Sequence, residues 1–190
     1  MPAPLVILDR DGVINADSRH YIKHRDEWIP IPGAIEAIAR LCKAGVQVAI
    51  ATNQSGIARG LTPPIELDAM HARLNALVET EGGHIAHIAY CPHGPDEGCL
   101  CRKPLPGLLH QIADALGYTT LDTAWMVGDS LRDLQAGAAA GTQLALVLTG
   151  NGEKTRSQLH ALPAPEQVCI ATTFESLVDR WLAQSLFDNA

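Results

Sequence analysis

Apolar positions fall along this chain in two alternating rhythms. Continuous apolar runs at Leu5–Leu8, Val46–Thr52, His84–Tyr90, Thr123–Gly128, Gln143–Leu148 and Gln167–Ala171 read as strands. Unbroken runs, as opposed to strict alternation, are what a sheet covered on both faces requires. Between them apolar residues recur every three or four positions, as on a helix with one buried stripe. Ile35, Ile38, Leu41 and Cys42 follow Pro32-Gly33, and Gly45 closes that helix. Leu67, Met70, Leu74, Leu77 and Val78 follow Thr62-Pro63-Pro64. Leu108, Leu109, Ile112, Ala115 and Leu116 make a third stripe, and an alanine-rich helix follows Asp133. A short helix is expected around Lys154–Leu162, and Phe174, Leu177, Val178, Trp181 and Leu182 mark the last one. Strands alternating with helices at this density predict an α/β fold with a doubly wound, mainly parallel sheet and right-handed crossovers. No repeat or linker interrupts the 190 residues, and a single domain over 1–190 is expected.

The polar positions change the picture, because they collect where strands end. The first strand runs directly into Asp9 and Asp11, one residue apart. Asp11-Gly12 by itself is also a turn signal. The second strand ends in Thr52-Asn53, a later loop carries Arg102-Lys103, and the fourth strand ends in Asp129 with Asp133 beyond it. Carboxyl ends of strands are where open α/β sheets bind ligands. A phosphate monoester repels a carboxylate nucleophile unless a cation and hydrogen-bond donors hold its oxygens. The set therefore suits phosphoryl transfer: Asp9 as nucleophile, Asp11 as general acid and base, and Asp129 as a second carboxylate on Mg2+. Asp133 either supports the metal site from behind or, through its spacing from Ser130, caps a helix.

Three cysteines and a histidine fall within eleven residues, as Cys91-Pro-His93, Cys99 and Cys101. Three thiolates and an imidazole make a closed tetrahedral Zn2+ site without an open position, so this metal is expected to be structural. It ends next to Arg102-Lys103 and would fix where that lysine points. Cys42 and Cys169 are expected in the core.

Composition then removes alternatives. The formal net charge of −7 and a pI near 5.5 argue against a nucleic-acid partner. No apolar run approaches the length of a membrane span, and the first strand begins too early for a signal segment. A cytoplasmic protein, without membrane association and monomeric, is the expectation. Little chain separates the motifs, so no separate cap domain fits, and loops must close over the substrate. From these loops Asp17, Arg19, His20 and Tyr21, then Asn53, Gln54, Ser55 and Arg59, and finally Arg102 are expected to meet it. Lys23, His24 and Arg25 add to a local basic surplus that suits a small anionic substrate, although about half of these charges should simply be solvated.

Asp9-Arg-Asp11-Gly-Val, Thr52-Asn53, Lys103-Pro104 and Gly128-Asp129-Ser-Leu-Arg-Asp133 resemble the ordered motifs of the haloacid dehalogenase superfamily of phosphatases. The resemblance spans about residues 4–150. It implies a Rossmann-like fold, an aspartyl-phosphate on Asp9, phosphoryl-stabilising donors Thr52 and Lys103, and Mg2+ on Asp9, the Asp11 carbonyl and Asp129. Within the superfamily, Thr52–Gly60, the zinc loop and Gly128–Ala136 resemble the heptose-bisphosphatase and histidinol-phosphatase family. That likeness implies a small phosphorylated sugar as substrate. The first expectation is the 7-phosphate of a heptose 1,7-bisphosphate, in the supply of activated heptose for lipopolysaccharide or other surface glycans. Histidinol phosphate is the alternative, favoured by the short loop between His93 and Cys99. A zinc-stabilised binding module without activity would explain the cysteines but not the carboxylates. A dehalogenase would have no use for Asp11.

Overall fold

A computed structural model describes residues 3–18 and 20–187. Arg19, expected in the substrate loop, lies outside the described residues. Among the described residues, six strands form one sheet: β1 (Leu5–Leu8), β2 (Gln47–Asn53), β3 (Ile85–Cys91), β4 (Trp125–Gly128), β5 (Gln143–Val147) and β6 (Cys169–Ala171). Their order is β3-β2-β1-β4-β5-β6, and every adjacent pair is parallel. Among the same residues, six α-helices connect or follow them: α1 (Ala34–Lys43), α2 (Pro64–Thr80), α3 (Gly107–Leu116), α4 (Leu131–Ala140), α5 (Gly152–Arg156) and α6 (Phe174–Ala183).

The apolar run of β1 explains why helices lie on both faces. Side chains alternate along a strand, and here Val6 and Leu8 enter one cluster with Ile38 and Leu41 of α1, Met70 and Leu74 of α2, and Phe174 and Trp181 of α6. Leu5 and Ile7 enter the opposite cluster with Leu108, Leu109 and Ile112 of α3. At roughly 2 kcal/mol for each large apolar side chain fully removed from water, such positions dominate the stability of the sheet.

Three expectations are corrected. The short helix around residues 154–162 is two pieces, α5 and a 3-10 turn at Leu159–Ala161, with a further 3-10 turn at Pro165–Gln167. Cys42 and Cys169 are half-buried at the margin of the core, not inside it. The loop after β1 is not wholly irregular, because Arg25–Glu27 forms a 3-10 turn that α2 holds down. Arg25 pairs with Glu66 at 2.8 Å, and Arg73 lies 5.6 Å over the Trp28 ring while donating to the Arg25 and Trp28 carbonyls. Arg25 thus serves as an anchor, which removes it from the basic surplus. The part of this loop free to face a ligand lies before it.

β1 is the switch point of the sheet, since the chain moves outward to β2 and β3 and then returns to place β4 on its other side. A crevice opens beyond the strand ends at such a point.

Candidate active site

Asp9 follows β1 directly, and its backbone N–H donates to Val127 O of β4 at 2.9 Å. That bond extends the ladder by one residue and fixes Asp9 against the end of β4. Lys103 reaches it from the far side of β2, where its ammonium donates to Asp9 Oδ1 (2.9 Å) and Ala51 O (2.6 Å). The same ammonium lies 2.7 Å from Asp133 Oδ1. Lys103 is 2 % exposed, and burial by itself would lower its pKa. Asp133 and Asp9 outweigh that and raise it, so the ammonium stays charged.

Asp133 does two things at once. Its Oδ2 accepts the Ser130 N–H (3.0 Å) and hydroxyl (2.7 Å), closing a capping box on α4, while Oδ1 holds Lys103. Both oxygens are engaged.

Asp129, at the end of β4, packs over Gly12 and Gly150, and a Cβ at either would overlap its carboxylate. Both glycines also have positive φ, +89° and +57°, which favours a residue without a side chain. Asp129 Oδ2 accepts the Asn151 N–H (2.7 Å) and side-chain amide (3.1 Å). Asn151 was not anticipated. It stands at the carboxyl end of β5 in Gly150-Asn151-Gly152, and reading strand ends to the fifth strand would have found it.

Asp11 lies on the other flank. Burial would raise its pKa, but Arg10, Asn15 and Gln54 hold it below the ordinary carboxylate range. Gln54 spends one amide hydrogen on Asp11 Oδ2 (2.9 Å) and the other on Thr52 Oγ1 (2.9 Å), leaving the Thr52 hydroxyl proton free to be donated. Asn53 brackets the backbone of Lys103, donating to its carbonyl and accepting from its N–H, each at 3.0 Å.

A cavity of about 570 Å³ opens above these groups. Asp9, Asp11, Asn53, Gln54, Ser55, Lys103, Asp129 and Asp133 line its floor and walls, with Asp17 and Tyr21 from the loop after β1. Arg59, Arg102 and Arg132 also line it, and Arg59 rests 5.7 Å over the Tyr21 ring. Tyr21 has φ +63°, a conformation that costs a side-chain-bearing residue on the order of 1 kcal/mol. Two of the expected residues are not in the lining: Thr52 is buried just beneath the floor, and His20 is exposed to one side. Arg132 had not been foreseen.

The donor set fits a divalent cation. Carboxylate oxygens of Asp9, Asp129 and Asp133 lie within 4.8 Å of one another, and Asp133 is already committed to Lys103 and the cap. Among the described residues, Asp9, Asp11, Asp129 and Asp133 face only Lys103 and Arg10 as buried cations, which leaves two negative charges uncompensated. The consequence is visible in the acids themselves. Burial, then Asp133, raises Asp9 well above its ordinary value, against the pull of Lys103. Burial and Asp133 likewise push Asp129 up to about 7 despite Asn151. A doubly charged ion with hard-oxygen preference, such as Mg2+, would restore both carboxylates. Because Asn151 orients Asp129, replacing it with alanine should weaken Mg2+ binding about tenfold. Calorimetric titration checks this, with an unchanged dissociation constant as the contrary result.

The cysteine cluster fits zinc. Cys91 Sγ lies 3.6 Å from Cys99 Sγ and 3.5 Å from His93 Nδ1, and Cys101 Sγ lies 3.3 Å from His93 Nδ1. With Zn–S of about 2.3 Å, the edges of a tetrahedron are roughly 3.8 Å, while a disulfide would need about 2 Å. Burial and neighbouring thiols push Cys91 up to about 12, so a thiolate there calls for a cation. The loop is tied to the cavity, because Arg102 donates to His93 O at 3.1 Å and Gln54 N–H donates to Cys91 O at 2.7 Å.

Residues 4–141 match the haloacid dehalogenase-like hydrolase family. The chain is similar to D-glycero-beta-D-manno-heptose-1,7-bisphosphate 7-phosphatase of Pseudomonas putida, 62% identical over 151 residues that cover 80% of this chain and 86% of the relative. It is 56% identical over 170 residues to the protein of that name from Pseudomonas aeruginosa, covering 90% and 93%. Among solved structures, the D,D-heptose 1,7-bisphosphate phosphatase of Bordetella bronchiseptica, complexed with magnesium and phosphate, superposes with a TM-score of 0.89 at 46% identity, covering 95% and 99%. The family match over residues 4–141 and these relatives show that the chain belongs to the haloacid dehalogenase-like hydrolases.

Proposed function

We propose that this protein is a Mg2+-dependent phosphatase that removes the 7-phosphate of D-glycero-D-manno-heptose 1,7-bisphosphate in heptose metabolism. The observation that carries the chemistry is the meeting of Asp9, Lys103, Asp129 and Asp133 at one strand edge, with Lys103 2.9 Å from Asp9 and 2.7 Å from Asp133. The relatives and the structural neighbour support the substrate.

In this reading Asp9 attacks phosphorus, the ester P–O bond breaks, and Asp11, which must first take up a proton against the pull of Arg10, passes it to the departing sugar oxygen. A water then attacks the aspartyl-phosphate, giving a proton back to Asp11 as the P–O bond to Asp9 breaks. Lys103 and the Thr52 hydroxyl hold phosphoryl oxygens throughout. Mg2+, held by Asp9, Asp129 and the Asp11 carbonyl, would supply the positive charge that lets a carboxylate approach an anionic ester. Asn53 fixes the backbone of Lys103, and Asp133 aims its ammonium. Asp17, Tyr21, Gln54, Ser55, Arg59 and Arg102 surround the sugar and its second phosphate.

Zn2+, held by Cys91, His93, Cys99 and Cys101, would fix the loop that carries Arg102 and Lys103 in place. Cys99→Ser should therefore lower zinc content and kcat together. Full activity in protein shown to be zinc-free by atomic absorption would separate the two. Reduced thiols suit a cytoplasmic setting. Among the described residues no helix is long and apolar enough to cross a membrane.

The deciding experiment compares kcat/KM on heptose 1,7-bisphosphate and on histidinol phosphate, with and without EDTA. The expected result is a preference for the heptose of tenfold or more, abolished by EDTA and restored by Mg2+. The reverse preference would reassign the substrate.

A further inference from the structure

Arg10 stands between the two catalytic acids in sequence, and the mechanism above leaves it without work. It is nevertheless 1 % exposed, and a guanidinium is not buried cheaply unless its donors are used. Its backbone carbonyl accepts the N–H groups of Ile14 and Asn15 at 2.8 and 3.2 Å, closing the turn after β1. Its side chain folds back along that turn onto Asp11. Nε and NH2 donate to Asp11 Oδ1 at 3.1 and 2.9 Å, and NH2 also reaches Oδ2 at 3.1 Å. The remaining nitrogen, NH1, faces α2, where it lies 3.4 Å from His71 Nε2 and 3.9 Å from Met70 Sδ.

The two oxygens of Asp11 are not treated alike. Oδ1 receives Arg10 twice and Asn15 Nδ2 at 2.8 Å. Oδ2 receives only one Arg10 nitrogen and Gln54. Each carboxylate oxygen offers about two lone-pair sites, so these five contacts engage both oxygens and leave the Asp11 carboxylate no freedom to turn. We infer that Arg10 is a positioning residue that fixes the orientation of the Asp11 carboxylate toward the departing sugar oxygen, and that His71 buttresses Arg10 from α2.

His71 is suited to that place. Burial, then Arg10, lowers its pKa to about 4, so near neutrality the ring is uncharged and accepts from Arg10 through Nε2. Its other face packs against Tyr90, with ring centroids 5.9 Å apart. The buttress ties Asp11 to the helix that also holds down the loop after β1.

The inference rests on Asp11 being the acid and base of the proposed reaction, and leaving-group dependence separates the two. An alkyl leaving group such as the heptose needs a proton, whereas p-nitrophenolate leaves without one. Arg10→Gln should lower the single-turnover rate of phosphoryl transfer to Asp9 from heptose 1,7-bisphosphate about 100-fold, with substrate affinity changed less than threefold, while the same step with p-nitrophenyl phosphate slows less than fivefold. His71→Leu should show the same selectivity at about tenfold, and His71→Gln, which keeps an acceptor, should restore most of it. Asp11→Asn is the control. If it shows no leaving-group selectivity, the reading of Asp11 as acid and base fails. If it does while Arg10→Gln slows both substrates equally or neither, the inference for Arg10 is overturned. Should Arg10→Gln not fold, the His71 pair decides on the same criterion.

Discussion

Asp9→Asn is expected to remove at least about four orders of magnitude of kcat, as loss of a covalent nucleophile does. The amide is nearly isosteric with the carboxylate but offers phosphorus no anionic oxygen. The variant should not be less stable than the parent. Asp9 is repelled by Asp133, Asp129 and Asp11 and attracted by Lys103 alone, and Lys103 keeps Asp133 at 2.7 Å and the Ala51 carbonyl at 2.6 Å. Removing one of several like charges relieves the cluster, so Tm should be unchanged or higher. Brief acid quench of the parent enzyme should leave a phosphoryl adduct on the peptide containing Asp9, detected by mass spectrometry. Residual turnover of Asp9→Asn above about 1% of the parent would remove Asp9 from the nucleophile's role.

Lys103→Met is expected to damage both chemistry and stability. Lys103 is the buried cation shared by Asp9 and Asp133. Methionine fills similar space but leaves two carboxylates facing each other in an environment that already raises Asp9. Breaking a buried pair in this way costs about 3–5 kcal/mol, read as a lower denaturation midpoint at unchanged m. Loss of a preorganised charge on the phosphoryl oxygens should cost roughly 10²–10³ in kcat. Mg2+ should recover part of the stability, because it supplies positive charge to the same carboxylates. Stability insensitive to the substitution would mean that the acids are neutral in the folded protein.

The two variants separate what the site asks of each group. Asp9 is tolerated by the fold for the sake of chemistry, whereas Lys103 serves both. Asp133 illustrates the economy of the arrangement, since one carboxylate caps α4 and aims Lys103. Both readings of its spacing from Ser130 start from the same geometry: the cap is formed, and the oxygen left over points into the site.

Much of this was legible along the chain. The apolar runs and helical stripes predicted the sheet and its two helical layers, because burial on both faces demands continuous apolar strands. The placement of Asp9, Asp11, Thr52, Asn53 and Asp129 at strand ends, with Lys103 on the loop that follows β3, was legible for a related reason. In a parallel sheet with crossover helices, every carboxyl end arrives at the same edge, so one-dimensional position translates into proximity. Zinc geometry was legible because Cys91 to Cys101 is one short loop whose partners are close in sequence.

What only the tertiary structure decided is which partner each side chain chooses across long separations. Arg10 stands between two acids in sequence, and its use depends on His71 and Met70, which α2 brings from some 60 residues away. Asn151 meets Asp129 across 22 residues, and Asp17 as well, at 3.0 Å across 134. Arg25, counted among cations for the substrate, turns instead to Glu66, 41 residues on. Backbone pattern is set by local periodicity and burial, which the order of residues carries. The direction of a charged side chain is set by competing partners of similar strength, and only the assembled fold determines which of them comes within 3 Å.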